Sequence, residues 1–146
     1  MPLDGRYESS PIPSVRAQVE LYVRTNGRQG YLQPDTGLPI ALFTIRGRRT
    51  GALRRVPLMR VISGGNYLLV ASSGGSERYP AWYHNLIANP EIEIQDGPEV
   101  FGARARLLSG SERRAWWRIA VAAFPYYADY QAGTRRDIPI CLAERL

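Results

Sequence analysis

The sequence predicts an α+β domain built on one antiparallel β-sheet, and three observations carry that prediction. About six short β-like segments are joined largely by glycine-rich and Asp-Gly turns. The helical patterns stand before, between and after these segments and do not alternate strictly with them. A sheet of about six strands that curls into a barrel also removes its own edges. The length, 146 residues, suits one domain with a core large enough to need no staple.

Taken in order, residues 1–13 are polar and contain Pro2, Pro11 and Pro13, which predicts a flexible N-terminal arm ahead of a single domain over 14–146. Ser14 reads as an N-cap. Val15, Val19, Tyr22 and Val23 then recur at helical spacing until Asn26-Gly27 ends the pattern. A turn-rich linker follows from Arg28 to Pro39. Ile40–Arg46 is apolar and partly β-branched, Val56–Ser63 alternates weakly, and Asn66–Ser72 reads as a buried strand. Ser63-Gly64-Gly65-Asn66 predicts a hairpin between the last two. Pro80 opens a short helix over Ala81–Ala88, closed by Asn89-Pro90. Ile92 and Ile94 alternate with Glu91, Glu93 and Gln95, the pattern of a half-exposed strand, and Asp96-Gly97 turns the chain into Val100–Leu108. Ser109 with Glu112 reads as a capping box for a helix carrying Trp116, Ile119, Ala120 and Ala123 on one stripe. Phe124-Pro125 interrupts it. Tyr126–Gln131 resumes as helix, with Tyr126 and Tyr130 on a shared face, and Ile138–Leu142 closes the chain as a strand.

The charge is concentrated in one place. The net charge is +6, and between Thr36 and Ser76 stand six arginines (Arg46, Arg48, Arg49, Arg54, Arg55 and Arg60) with no Asp or Glu. The remainder holds 13 arginines against 13 acids, so the whole excess lies in that window. Every cation is an arginine, a planar fork able to hold phosphate or carboxylate through two hydrogen bonds. A single cysteine, Cys141, and a single histidine, His84, exclude an intramolecular disulfide framework and a Cys/His metal site. No run approaches the ~18 apolar residues of a membrane span. The first residues lack the apolar centre of a secretory signal, so a cytoplasmic protein is expected.

Four segments are candidates for chemistry. Arg46-Gly47-Arg48-Arg49-Thr50-Gly51 joins two strand-like segments, and its glycines let backbone N–H groups approach an anion. It reads either as a solvated basic hairpin or as an anion site, and the missing acids favour the second. Ser72-Ser73-Gly74-Gly75 permits close backbone approach and offers two hydroxyls, yet an ordinary turn has the same composition. Pro80-Ala81-Trp82-Tyr83-His84-Asn85 puts two aromatics at a helix N-terminus; His84 has no triad partner and reads as a packing residue. The tyrosines at 126, 127 and 130 read first as wall. With no carboxylate pair, nucleophile elbow or metal cluster, the chemistry is left to a bound cofactor.

These same residues carry a family resemblance. Phe43-Thr44-Ile45-Arg46-Gly47-Arg48-Arg49-Thr50-Gly51 with Arg54 and Pro57-Leu58 resembles the deazaflavin (F420)-dependent nitroreductase family. So do Val70-Ala71-Ser72-Ser73-Gly74-Gly75, Pro80 to Leu86 with Ala88-Asn89-Pro90, Phe124-Pro125 through Tyr127 to Tyr130-Gln131, and Arg135-Arg136-Asp137-Ile138-Pro139. The resemblance implies an antiparallel split β-barrel of the flavin-binding type holding coenzyme F420, a deazaflavin with a phosphate and an oligoglutamate tail. It further implies that Arg48, Arg49 and Thr50 meet the phosphate or tail. The segment Arg54, Arg55, Val56, Pro57, Leu58, Met59 would line the ring and its side chain. Val70, Ala71, Ser72, Ser73 and Ala81, Trp82, Tyr83, His84, Asn85 would complete the cofactor contacts. Tyr127 would face the substrate and Ser72 would donate to it or to its nascent anion. The implied reaction is hydride transfer from reduced F420 to a small-molecule acceptor: a quinone, nitro compound or activated alkene. Arg49 and Ser73 stand where relatives often have lysine, so the second position loses a charge.

Other readings of the same residues are FMN in the barrel, an F420 carrier or storage module without turnover, and nucleic-acid binding, which the pI of 9.9 raises. The neutral remainder of the chain and the lack of a base-reading helix argue against nucleic acid. Split barrels of this kind often pair, which leaves a homodimer open.

Overall fold

The computed structural model describes residues 3–146. Seven strands form one sheet: β1 (Ile40–Arg46), β2 (Leu53–Met59), β3 (Ile62–Ser63), β4 (Asn66–Val70), β5 (Glu91–Asp96), β6 (Glu99–Leu107) and β7 (Ile140–Arg145). Four helices accompany them: α1 (Pro13–Arg24), α2 (Ala81–Ala88), α3 (Gly110–Ala123) and α4 (Tyr126–Ala132). The spatial order is β2-β1-β5-β6-β7-β4-β3, and every pairing between these strands is antiparallel.

That order makes the sheet curl. β2 and β3 lie at opposite edges, yet only Arg60 and Val61 separate them in the chain. From Met59 to Ile62 is three residue steps, at most ~11 Å, so the two edges must come together. At this crossing Arg60 N–H donates to the Pro39 carbonyl at 3.0 Å, while Leu68 N–H on the other edge donates to Val61 at 2.9 Å. The α+β antiparallel barrel is as expected, with seven strands in place of about six. The predicted Val56–Ser63 strand is two strands, because the chain leaves one edge at Arg60 and joins the other. The Arg60 side chain marks the break, its Nε donating to both Asp96 carboxylate oxygens at 3.0 and 2.8 Å.

Side-chain alternation divides the core into layers. Ala41, Phe43 and Ile45 of β1, Tyr67 and Leu69 of β4, Ile92 and Ile94 of β5, and Cys141 and Ala143 of β7 fill the barrel interior, with Leu86 of α2. The alternate residues of β1, Ile40 and Leu42, pack on Val19 and Tyr22 of α1. Those of β4 and β7 (Leu68, Val70, Ile140, Leu142) pack on Ala120, Phe124 and Tyr127. β1, β4 and β7 are therefore covered on both faces and read as continuous apolar runs.

Two helix starts differ from expectation. α1 begins at Pro13 with Ile12 as its cap residue, because a proline at the first helical position loses no hydrogen bond; Ser14 lies inside the first turn. Ser109 does cap α3 in position, but its side chain makes no capping bond. The predicted capping box is absent because Glu112 accepts two hydrogen bonds from Arg106, both 2.7 Å. Arg106 also donates to Glu144 at 2.8 Å, so this cluster ties α3 to β6 and β7.

Of the N-terminal arm, residues 1–2 lie outside the described residues. Residues 6–8 run along the β2 edge: Leu53 N–H donates to Arg6 at 2.7 Å and Glu8 N–H to Leu53 at 2.9 Å.

Candidate functional site

β2 and α2 form the walls of a groove made of three adjoining cavities. The first, about 370 Å³, lies at the β1–β2 hairpin and is lined by Gly47, Arg48, Arg49, Thr50, Arg54, Ala81, His84 and Asn85. The second, about 480 Å³, continues past Arg54, Arg55, Val56 and Pro57 under Ala81, Trp82 and Asn85. The third, about 350 Å³, runs from Pro57, Leu58 and Met59 to Val70, Ser72, Ser73, Phe124, Tyr127 and Tyr130. Arg54, Ala81 and Asn85 border both the first and second cavities, and Pro57 and Trp82 border both the second and third. One trough therefore leads from a cationic end to an aromatic end.

At the cationic end the hairpin backbone is held, and of its guanidinium groups those of Arg48 and Arg49 are left unpaired. Arg48 N–H donates to the Asn85 side chain at 3.0 Å, tying hairpin to helix, and Thr50 Oγ1 accepts from Ala52 N–H at 3.2 Å. Arg46 braces the turn by donating to the Gly51 carbonyl at 2.9 Å. The exposed Arg48 and Arg49 side chains make no ion pair among the described residues. Arg54 and Arg55 are engaged by the N-terminal arm: Glu8 accepts from Arg54 at 3.0 Å, and Tyr7 lies against the Arg55 guanidinium, 4.5 Å from ring centroid to carbon.

The aromatic end is assembled from distant segments. Tyr127 is only 4% exposed, wedged against Phe124 at 4.8 Å, Tyr130 at 6.3 Å and Trp117 at 6.4 Å between ring centroids. Tyr126 and Tyr130, at i and i+4 of α4, both pack on Phe124, with ring centroids 5.3 and 6.1 Å away, but Tyr126 is 57% exposed and only Tyr127 and Tyr130 border the cavity. Neither the Tyr127 phenol nor the Ser72 hydroxyl hydrogen-bonds to another described residue, and both border the third cavity. Burial pushes the Tyr127 pKa above the usual phenol value, with a smaller push from Tyr130, so the group stays a neutral hydrogen-bond donor.

The Ser72–Gly75 turn is held from behind. Arg136 donates to the carbonyls of Ala71 at 3.1 Å, Ser72 at 2.9 Å and Ser76 at 2.8 Å, and it does not itself line the cavity. Gly75, at φ +82°, sits so close to α4 that a Cβ would lie 3.2 Å from the Tyr130 backbone.

The groove thus gathers Arg48, Arg49, Thr50, Arg54, Arg55, Val56, Pro57, Leu58, Met59, Val70, Ser72, Ser73, Ala81, Trp82, His84, Asn85 and Tyr127. Two predicted residues border none of its cavities. Ala71 is fully buried, and Tyr83 packs on Tyr79 and His84 at 5.1 and 5.6 Å. Sequence reasoning missed Gln33, Asp35 and Thr36, which rim the third cavity, and Ser10, Pro11, Ile12 and Val15, which wall the second. Their local sequence signals only a turn and a helix start.

The curled antiparallel sheet, with a groove running from unpaired arginines to a phenol-lined cavity, defines a protein of the split β-barrel class. Residues 14–145 match the F420H(2)-dependent quinone reductase family, and the chain belongs to it. It is similar to an F420H(2)-dependent quinone reductase of Mycobacterium tuberculosis, with 37% identity over 134 residues covering 90% of this chain and 89% of that protein. Among solved structures it resembles an F420-H2 dependent reductase, FDR-A, at 50% identity and a TM-score of 0.70, covering 73% of this chain and 94% of the other. A structure described as a domain-swapped dimer matches at 44% identity and a TM-score of 0.73, covering 92% of this chain and all of the other.

Proposed function

We propose that this protein reduces a quinone with reduced F420, and that the trough described above holds the two reactants in line. The observation that carries the reading is the polarity of one continuous groove: unpaired arginines at one end, an unpaired buried phenol at the other. The residues fit F420. Arg48, Arg49 and the Thr50 turn suit its phosphate and carboxylate tail, and Arg54 stands where tail and ring side chain would join. Pro57, Leu58, Met59 and Trp82 offer apolar faces to the ring. When bound, the reduced deazaflavin supplies a hydride, which together with one proton converts the quinone to the hydroquinone.

The remaining work falls to the chain. Phe124, Tyr127 and Tyr130 give the third cavity an aromatic wall, a surface suited to a flat quinone ring. Tyr127 and Ser72 are inferred to donate hydrogen bonds to the acceptor oxygens, where negative charge develops during hydride transfer. Rigid placement matters most, because reacting atoms must be held about 3–3.5 Å apart. A homodimer belongs to this reading, supported by the domain-swapped dimer of a relative 44% identical. So does a cytoplasmic location; no helix of the described residues is long and apolar enough to cross a membrane.

Two measurements test the reading: a fluorescence titration of the protein with F420, and re-oxidation of F420H2 on adding a quinone. Saturable binding with quinone-dependent re-oxidation is expected. No binding at micromolar protein, or binding with no turnover across a quinone panel, would overturn it.

A further inference from the structure

The third cavity has a feature that its proposed role does not use. Among its lining residues, Asp35 is the single side chain with a formal charge, and it faces a wall otherwise made of apolar groups, hydroxyls and Gln33. The far end of the groove therefore carries charge opposite to that of the arginine end. Asp35 sits at the rim on the linker between α1 and β1. That linker is stapled in place: Thr36 N–H donates to Gln33 Oε1 at 2.6 Å, Gly37 N–H to the Gln33 carbonyl at 2.8 Å and Gln33 N–H to Leu38 at 2.7 Å. Gly37 takes φ +69°, a conformation glycine adopts without strain. Gln18 of α1 anchors the same linker, donating to the Gly30 and Leu32 carbonyls at 2.9 and 3.1 Å. The Asp35 carboxylate accepts from Gln33 Nε2 at 3.3 Å. Arg136, the cation behind the opposite wall, donates to backbone carbonyls and is not among the residues that line the cavity.

Resting on the quinone-reductase reading, we propose that Asp35 is a specificity-determining residue that sets the charge preference of the acceptor, so that neutral quinones are favoured over anionic ones. A carboxylate held at the mouth repels an incoming anion. It also keeps the anionic tail of the cofactor from entering backwards, since that tail meets opposite charge only at the hairpin. Asp35 is exposed, so the effect is moderate: at roughly 7 Å in a water-like medium a unit repulsion changes affinity about threefold, and up to about tenfold where the cavity excludes water. Added salt reduces it.

The test compares 1,4-naphthoquinone with its 2-sulfonate as acceptors for F420H2, in the wild type, Asp35→Asn and Asp35→Glu. The expected result is a rise of about three- to tenfold in the sulfonate-to-neutral ratio of kcat/KM for Asp35→Asn, shrinking at high salt, with Asp35→Glu close to wild type. Calorimetric titration of the protein alone with the sulfonate gives an independent readout, a Kd lowered by a similar factor in Asp35→Asn. An unchanged ratio and an unchanged Kd, in a wild type that reduces naphthoquinone, overturn the role of Asp35 alone. A wild type that reduces neither quinone overturns the functional reading, while the calorimetric comparison still decides whether Asp35 repels the anion.

Discussion

The two ends of the groove are built in opposite ways. The hairpin end is local: Gly47 to Arg54 are neighbours in sequence, Arg48 and Arg49 are exposed, and one Asn85 contact fastens the hairpin to α2. The tyrosine end is non-local. Residues 33–36, 57–59, 70–74 and 124–130 meet there, and its central ring is almost wholly buried. Substitution should therefore separate binding from stability at the first end and entangle them at the second.

The largest effect is expected from Tyr127→Ala. Removing a ring packed among Phe124, Trp117 and Tyr130 should cost about 3 kcal/mol of stability in denaturant unfolding. Tyr127→Phe keeps the ring and removes only the hydroxyl, so it should unfold like the wild type while lowering kcat/KM for the quinone about tenfold. A Phe variant with full activity would make Tyr127 wall alone, and the contrast between the ends would then be one of packing only.

Next come Arg48→Ala and Arg49→Ala together. Exposed charge-assisted contacts are discounted for screening to about 1 kcal/mol each, so F420 affinity should fall about thirtyfold by fluorescence titration, with the melting temperature nearly unchanged. Unaltered affinity would move the anionic tail to another part of the groove.

Gly75→Ala sharpens the boundary between turn and helix. Its positive φ alone disfavours a Cβ by about 1–2 kcal/mol, and the added atom also presses on the Tyr130 backbone. Thermal unfolding should show that loss, together with a raised KM for the quinone but not a weakened F420 affinity; a change in F420 affinity instead would mean that the two ends are coupled through this turn.

The smallest effect concerns the barrel interior shared by both ends. Burial pushes the Cys141 thiol from 9.0 up to about 12. Above pH 9 the unfolded chain loses this proton while the folded one keeps it, so stability is lost as pH rises from about 9 to 12. By pH 10 the loss from this group is about 1 kcal/mol. Cys141→Ala should remove that share of the alkaline slope in urea melts, and an identical slope would leave the buried tyrosines as its whole cause.

Much of the frame was legible because its signals are periodic or local. The Ala81–Ala88 helix lies where proline and Asn-Pro punctuation put it, and Ser63-Gly64-Gly65-Asn66 turns between β3 and β4. The break at Arg60 was not legible, because its cause is a carboxylate 36 residues away, on Asp96. The capping box failed for the same reason: Glu112 had a better partner in Arg106 than the helix end offered. The rim at Gln33–Thr36 reads in sequence as a turn like any other, and only its position over the third cavity makes it part of the site.

By itself the sequence determined the antiparallel α+β class and the concentration of cations in one hairpin. These follow from residue types and short spacings, which no later folding step alters. Only the tertiary structure decided that β2 and β3 close the curl from opposite edges, that the arginines and Tyr127 share one trough, and that Asp35 stands at its far mouth. Such placements depend on contacts between segments far apart in the chain, where burial and pairing energies outweigh local preference.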